Sequence, residues 1–309
     1  MFPSLKNAAC NSAVFISRPI WSYTNKIREI SLKERIISDQ EYSNFCEYLE
    51  SATGIVLGKS KHYLVSSRLN RLMEERELLT YTELLDHLKK TANAGLREQI
   101  IDAMTTNETM WFRDIYPYEV LKETILPELS KITDRPIKIW SAACSSGQEP
   151  YSISMVVQEF LSRQPSAFPR GIQIVATDIS ASMLNYSKRA KYDEAAMKRG
   201  ISEERRRKFF TQTENLWEVS PEIRSRVSFK SLNLQQSYSS LGKFDLIFCR
   251  NVLIYFSADF KTDILERMGA ITNPGGYLYL GSSESPTRYT SIFKMVRAPG
   301  GVIYQYAPS

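Results

Sequence analysis

The hexapeptide Cys144-Ser145-Ser146-Gly147-Gln148-Glu149 is the stretch of this chain whose residue types and setting speak most directly of chemistry. It follows the β-branched and apolar run 137–141, and it precedes Pro150, a residue at home in the first turn of a helix. Strand, tight turn and helix in succession make the place where doubly wound α/β folds hold a nucleotide-like ligand. A dinucleotide would want several glycines there, so that backbone amides reach its pyrophosphate, and this turn has only Gly147. Glu149 would also repel a phosphate. S-adenosylmethionine (AdoMet) carries a sulfonium and an α-amino group but no phosphate, so it suits the turn better than NAD. A plainer reading of Glu149 stays open, since an acid favours any helix N-terminus through the macrodipole.

Two further strand ends complete the candidate site. The run 172–177 ends in Asp178, where a ribose-binding carboxylate belongs in this architecture, although a strand-end Asp taken alone is more often a helix cap. Phe244-Asp245-Leu246-Ile247-Phe248-Cys249 runs into Arg250-Asn251-Val252-Leu253-Ile254-Tyr255-Phe256, and the carboxyl edge of a parallel sheet is where such folds bind ligands. Asn251 and Tyr255 then face the chemistry, with a core aromatic as the alternative for Tyr255.

What is missing limits the reaction. Both histidines, His62 and His87, lie in the first third of the 309 residues, so the remainder has no imidazole base, no Ser-His-Asp arrangement and no histidine-rich metal site. Cys10, Cys46, Cys144 and Cys249 form no C-x-x-C pair and read as reduced thiols. With no membrane-length apolar run and no convincing signal peptide, a soluble cytoplasmic enzyme without membrane insertion is expected. The net charge of +6 is mild and lies wholly beyond residue 115, although Lys59, Lys61, Arg68 and Arg71 form an acid-free basic run within the balanced first part.

The elements that must position these residues divide the chain. Residues 1–37 lack a sustained period and are expected to be poorly ordered. From Ser38, which with Glu41 is spaced as a capping box, Tyr42, Phe45, Cys46 and Leu49 follow at helical spacing, and further helices fit 59–77, 81–92 and 96–104, an all-helical domain over 38–113. A linking helix near 116–131 leads into an α/β domain over 114–309. Its expected strands are 137–141, 172–177, 227–229, 244–249, 276–280 and an antiparallel edge at 302–306, with helices at 149–163, 180–190 and 258–271. The charged stretch 191–232 interrupts the rhythm, and a small antiparallel β insertion is expected at about 206–230.

Thr105-Thr106-Asn107-Glu108-Thr109-Met110-Trp111-Phe112-Arg113-Asp114 closely resembles the T-T-N-x-T-x-F-F-R-[DE] segment of bacterial chemotaxis receptor methyltransferases, the CheR family. Residues 140–152, Thr177-Asp178-Ile179 and residues 249–256 join the match, in order, from about Ser38 to the end. The resemblance implies a Rossmann-like AdoMet-dependent methyltransferase domain preceded by a small all-α domain. It implies methyl transfer to glutamate side chains in the cytoplasmic domain of methyl-accepting chemotaxis receptors, giving methyl esters. By motif position Asn107, Thr109, Arg113, Glu149, Asp178, Asn233, Leu234, Asn251 and Val252 carry over as cofactor contacts. Arg68 and Arg71 match the receptor-docking basic helix, and Arg113 and Tyr255 are the candidate catalytic residues. Gln148 and Trp111 depart from the pattern, standing for a Glu and a Phe. In the family a hairpin with a glycine-containing turn can grip a receptor's C-terminal tether peptide; 211–216 is short and has no glycine, so weak or absent tether binding is expected.

Two other functions compete. Lys188, Arg189, Lys191, Lys198, Arg199 and 205–208 raise a nucleic-acid methyltransferase, against which stand the interleaved acids Asp193, Glu194, Glu203 and Glu204. The other is an AdoMet-binding sensor or scaffold without turnover. A monomer that binds no nucleic acid and holds no metal is expected.

Overall fold

The computed structural model describes residues 36–90, 93–132 and 134–307. The expectation of poor order for 1–37 therefore falls almost wholly outside the described residues; Ile37, which is described, is buried in the helical domain's core.

That domain comprises α1 (Asp39–Thr53), α2 (His62–Glu75), α3 (Tyr81–Lys89) and α4 (Ala94–Met104). The capping box is formed: the Glu41 amide donates to Ser38 Oγ at 3.3 Å, and the Ser38 amide donates to Glu41 Oε2 at 3.1 Å. Phe45 and Leu49 on α1 and Val65 and Leu69 on α2, each pair four apart, are fully buried in one cluster with Leu84 and Ile100. α1 stops at Gly54, whose φ of +77° suits glycine, and a Cβ there would stand 2.2 Å from the Phe260 ring. The helical domain thus packs directly against the second domain at a point where only a hydrogen fits.

A helical segment, α5, passes from Tyr116–Val120 through one π turn, Leu121–Ile125, to Leu126–Leu129. The α/β domain then lays down β1 (Ile137–Ala142), α6 (Gln148–Leu161), β2 (Ile172–Asp178), α7 (Ala181–Arg189), β6 (Val227–Ser231), β7 (Phe244–Cys249), α8 (Ala258–Ala270), β8 (Thr272–Leu280), β9 (Phe293–Ala298) and β10 (Gly301–Tyr306), with β3 to β5 inserted before β6. The seven-stranded order is β6-β2-β1-β7-β8-β10-β9. The first five strands are parallel, and β10 is antiparallel to both neighbours. Large apolar clusters lie on both faces, which is why β7 is buried at every position. The chain winds outward from β1 in both directions, so the β1/β7 junction is the switch point where a crevice opens at the strands' carboxyl ends.

Three expectations need correction. The small sheet, ordered β3-β5-β4, consists of Lys191–Tyr192, Leu216–Val219 and Phe210–Thr213, so the insertion is not 206–230. Its first strand lies earlier, and Val227–Ser231 is the parallel outer strand of the main sheet, paired with β2 from Ile174↔Val227 to Asp178↔Ser231. Strand 302–306 is not the edge, because β9 lies outside it; β9 is mostly exposed and carries Lys294 and Arg297, the charged pattern that protects an edge and hides it from a hydrophobicity reading. β8 begins at Thr272 rather than 276, since Asn273-Pro274-Gly275-Gly276 is absorbed as a register irregularity opposite 244–246 instead of a loop.

Candidate active site at the carboxyl edge of the sheet

The turn after β1 is unusual backbone. Ala143, Ser145 and Gly147 have φ of +57°, +49° and +93°, and left-handed non-glycine residues persist only where their surroundings hold them. Those surroundings are visible. The Ser145 amide donates to Asp178 Oδ2 at 2.7 Å, Ser145 Oγ to the Asn107 carbonyl at 2.8 Å, Ser187 Oγ to the Ser145 carbonyl at 3.0 Å, and Tyr192 Oη to the Ser146 carbonyl at 2.7 Å. A Cβ on Gly147 would lie 3.0 Å from both Ser187 and Tyr192, so glycine is needed for close approach as well as for its φ. Tyr192 belongs to the inserted sheet. Trp111, fully buried, meets Tyr192 and Phe210 edge-on. The insertion that interrupts the sequence rhythm therefore braces both the turn and the 107–113 segment.

Two buried carboxylates flank the turn in different ways. Asp178 uses Oδ2 on the Ser145 amide and Oδ1 on the Ser180 amide at 2.8 Å. The cap of the following helix is Ser180, whose Oγ accepts the Met183 amide at 3.1 Å, so Asp178 is not that cap, and a carboxylate with about four acceptor sites keeps capacity for ribose hydroxyls. Burial pushes its carboxyl above the ordinary 3.8, against the pull of the Ser180, Ser145 and Ile179 amides. Glu149 accepts from Ser141 Oγ at 2.7 Å and pairs with Arg250 Nη1 at 3.3 Å. Burial raises its carboxyl above the ordinary 4.5, with Arg250 as the chief opposing influence. The Cys144 and Cys249 thiols are pushed well above their usual range by burial, which favours their neutral form.

Arg250, immediately after β7, carries no assigned role in the sequence pattern. Its side chain is 2% exposed, and it also donates to the Arg113 carbonyl at 3.0 Å and pairs with Asp114 at 2.5 Å. One guanidinium thereby ties the turn after β1 to the segment bearing Arg113. Glu284 belongs to none of the sequence motifs; its buried carboxylate receives the Asn251 and Gly281 amides at 2.7 Å each and the Ile254 amide at 3.3 Å. No sequence signal marks it, since the chain separation is about thirty residues.

These elements surround a cavity of about 330 Å³, a size that suits a small cofactor. Asn107, Thr109, Arg113, Glu149, Asp178, Asn233, Leu234, Asn251, Val252 and Tyr255 all line it, and so does Arg68. Arg71 does not: it is 88% exposed and pairs with Glu75, one turn along α2. Arg68 instead donates to the Met104 carbonyl at 2.8 Å and to Thr106 Oγ1 at 3.3 Å, so it holds the interdomain segment from inside the crevice. Asn233 donates through Nδ2 to the Ala52 carbonyl at 2.8 Å, joining the helical domain to the sheet. Tyr255 has a foot in both expectations, packed against the core cluster and facing the cavity.

The lining fits AdoMet on its own chemistry. Asn251 Oδ1 is buried without a hydrogen-bond partner and so offers an acceptor to a cationic or N–H-bearing ligand. Glu149 and Asp178 add anionic acceptors, and nothing in the turn cradles a phosphate.

Comparison with known proteins agrees. Residues 40–105 match the family model described as CheR methyltransferase, all-alpha domain, and residues 107–302 match CheR methyltransferase, SAM binding domain. The chain belongs to the CheR methyltransferase family. Its relatives include Chemotaxis protein methyltransferase 1 of Pseudomonas aeruginosa, 52% identical over 270 residues covering 87% of this chain and 98% of that protein. Another is Chemotaxis protein methyltransferase 1 of Vibrio cholerae, 53% identical over 270 residues with the same coverage. The cofactor of this CheR-family chain is accordingly AdoMet, and the expected fold class holds: a Rossmann-like domain with a small antiparallel insertion, preceded by an all-α domain. Among the described residues no helix is long and apolar enough to cross a membrane.

Proposed function

We propose that this protein transfers a methyl group from AdoMet to glutamate side chains in the cytoplasmic domain of chemotaxis receptors, leaving methyl esters. The observation that carries the reading is the meeting of Arg113 and Tyr255 with Glu149, Asp178 and Asn251 in one cavity whose lining includes no histidine. A glutamate carboxylate, with a reference pKa of about 4.3, is already an anionic nucleophile near neutrality and needs no base. Bound AdoMet supplies an electrophilic methyl on its sulfonium. Glu149 and Asn251 Oδ1 take the cofactor's amino end and Asp178 its ribose, with Asn107, Thr109, Asn233, Leu234 and Val252 forming the rest of the contact surface. Arg113 makes no ion pair within 4 Å among the described residues, and its one hydrogen bond there, to the Glu108 carbonyl, is a long 3.3 Å. Its guanidinium is thereby available to steer the substrate carboxylate without the tight pairing that would blunt it. Tyr255 orients the reacting oxygen. The remaining contribution is alignment and water exclusion.

The relatives' names, chemotaxis protein methyltransferases, support the link to chemotaxis. Arg71, exposed on α2, serves receptor docking, and Arg68 contributes from the crevice wall. The nucleic-acid alternative is weakened by the pairing of the basic stretch: Arg199 with Glu108, Lys191 with Glu218, Arg205 with Glu159 and Arg206 with Glu194. We assign the protein to the cytoplasm as a monomer; weak or absent tether binding is proposed because the β4–β5 turn is the two-residue Glu214-Asn215 without glycine.

The test is transfer of labelled methyl from AdoMet to receptor-containing membranes. Label that appears in the receptor and is released as methanol by mild alkali supports the ester. Label stable to alkali, or bound AdoMet with no transfer, overturns it.

A further inference from the structure

The loop after β7 presents Asn251, Val252 and Tyr255 to the cavity, yet its backbone is not one that the local sequence favours. Asn251 has φ +58°, Val252 follows at φ −124° and ψ −35°, and a single 3₁₀ turn spans Leu253–Tyr255. Left-handed Asn is tolerated but not self-enforcing. The enforcing group comes from the far side of α8 and β8. Glu284 places Oε2 at 2.7 Å from both the Asn251 and Gly281 amides, and Oε1 at 3.3 Å from the Ile254 amide. It is 8% exposed, makes no ion pair among the described residues, and does not line the cavity. A buried carboxylate is costly unless its lone pairs are satisfied, and here backbone amides alone satisfy them. Gly281 completes the arrangement: a Cβ there would stand 2.7 Å from Asn251 Nδ2 and 2.8 Å from Glu284 Oε2. The Asn251 amide is thus seated between Gly281 and the cavity, with its Oδ1 unpartnered.

We infer that Glu284 is a positioning residue for cofactor binding: it clamps the Asn251–Ile254 backbone so that Asn251 Oδ1 is held ready for AdoMet. The inference rests on the assignment of Asn251 to the cofactor. Glutamine cannot replace it, because an amide sets its own NH₂ donors against one of three N–H groups that converge on two oxygens.

The test is the calorimetric affinity for AdoMet in the full chain, with thermal midpoints measured alongside, for Glu284→Gln, Asn251→Ala and the pair. Each single change is expected to weaken binding about tenfold, the worth of one charge-assisted hydrogen bond. The double variant should bind no more weakly than Asn251→Ala alone, since Glu284 acts through Asn251. Gly281→Ala, which displaces the Asn251 amide and keeps the carboxylate, should reproduce the loss and serves if Glu284→Gln does not fold. Wild-type affinity in Glu284→Gln, or a loss repeated in full on top of Asn251→Ala, overturns the inference while leaving the cofactor assignment standing. Unchanged affinity in Asn251→Ala overturns both.

Discussion

The cavity has two unlike walls. The strand-end wall is built from buried polar groups with their partners already in place, Asp178 on two amides and Glu149 between Ser141 and Arg250, and is backed from outside the cavity by Glu284 on three amides. The facing wall comes from the helical domain and the 105–113 segment; Ser145 and Arg250 tie that segment to the first wall, while the helical domain itself is joined to it by a handful of bonds. The Val56 amide donates to the Tyr255 carbonyl at 2.9 Å, Asn233 reaches Ala52, and Gln235 reaches the Glu50 carbonyl at 3.1 Å. A preorganised wall suits a cofactor that must be held in one geometry before reaction, because reorganisation is then not part of the barrier. A lightly joined wall suits a macromolecular substrate that has to enter and leave.

The largest expected effect lies on the first wall. Glu149→Gln should weaken AdoMet binding roughly a hundredfold, since it removes a buried charge from a paired site, and should lower the thermal midpoint comparatively little; a large loss of stability with intact affinity would make Glu149 a structural residue only. The pH dependence sharpens the same point. Burial raises both Glu149 and Asp178 above their ordinary values. AdoMet needs them ionised, so its affinity should begin to fall, as pH is lowered, above the ordinary carboxylate range. Stability of the ligand-free protein has the opposite sign. A carboxyl whose folded pKa exceeds its unfolded one takes up its proton first in the fold, so the cost of these two groups is present in full above their folded values and disappears as pH falls through them. Affinity and the Glu149-dependent part of stability moving in the same direction would contradict this account.

On the second wall, Arg113→Ala should cut turnover at saturating AdoMet and receptor by about a hundredfold, comparable to losing one donor at a site of developing charge; full turnover there ends its catalytic assignment. The two arginines of α2 should separate. Arg68→Ala, by freeing the Thr105–Thr106 junction, should weaken AdoMet several-fold as well as receptor methylation. Arg71→Ala should raise only the receptor's KM, by a few-fold and most clearly at low salt, as for an exposed charge. Equal AdoMet affinities in the two variants would show that Arg68 does not shape the site. The smallest effect is an expected blank: a receptor tether peptide titrated calorimetrically at micromolar concentrations should give no binding heat, and a micromolar dissociation constant would reverse that proposal.

Much of this was legible in the chain. The capping box at Ser38, the strand before Gly147 and the run 244–249 announce themselves through local periodicity and turn chemistry, which depend only on neighbours in sequence. Residues 107–113, 149, 178 and 251–255 were legible as motifs. What escaped shares one cause. β9 is an edge strand with charged residues and three exposed positions of six, and 227–229, though legible as a strand, takes its place in the main sheet only by pairing with β2. Tyr192 became part of the turn by reaching from the insertion, and Arg250 became a junction only when folding set Glu149 and Asp114 on either side of it.

The sequence by itself determined most of the elements, the class of fold and the kind of ligand the turn after β1 favours, because a single glycine beside an acid is a poor cradle for a phosphate. Tertiary structure decided how the site is held: which arginine of α2 enters the crevice, and which carboxylate, Glu284, holds Asn251 in a left-handed conformation. The physical reason is that hydrogen bonds and ion pairs between groups about thirty to a hundred and eighty residues apart are set by packing, and packing leaves no periodic trace in the chain.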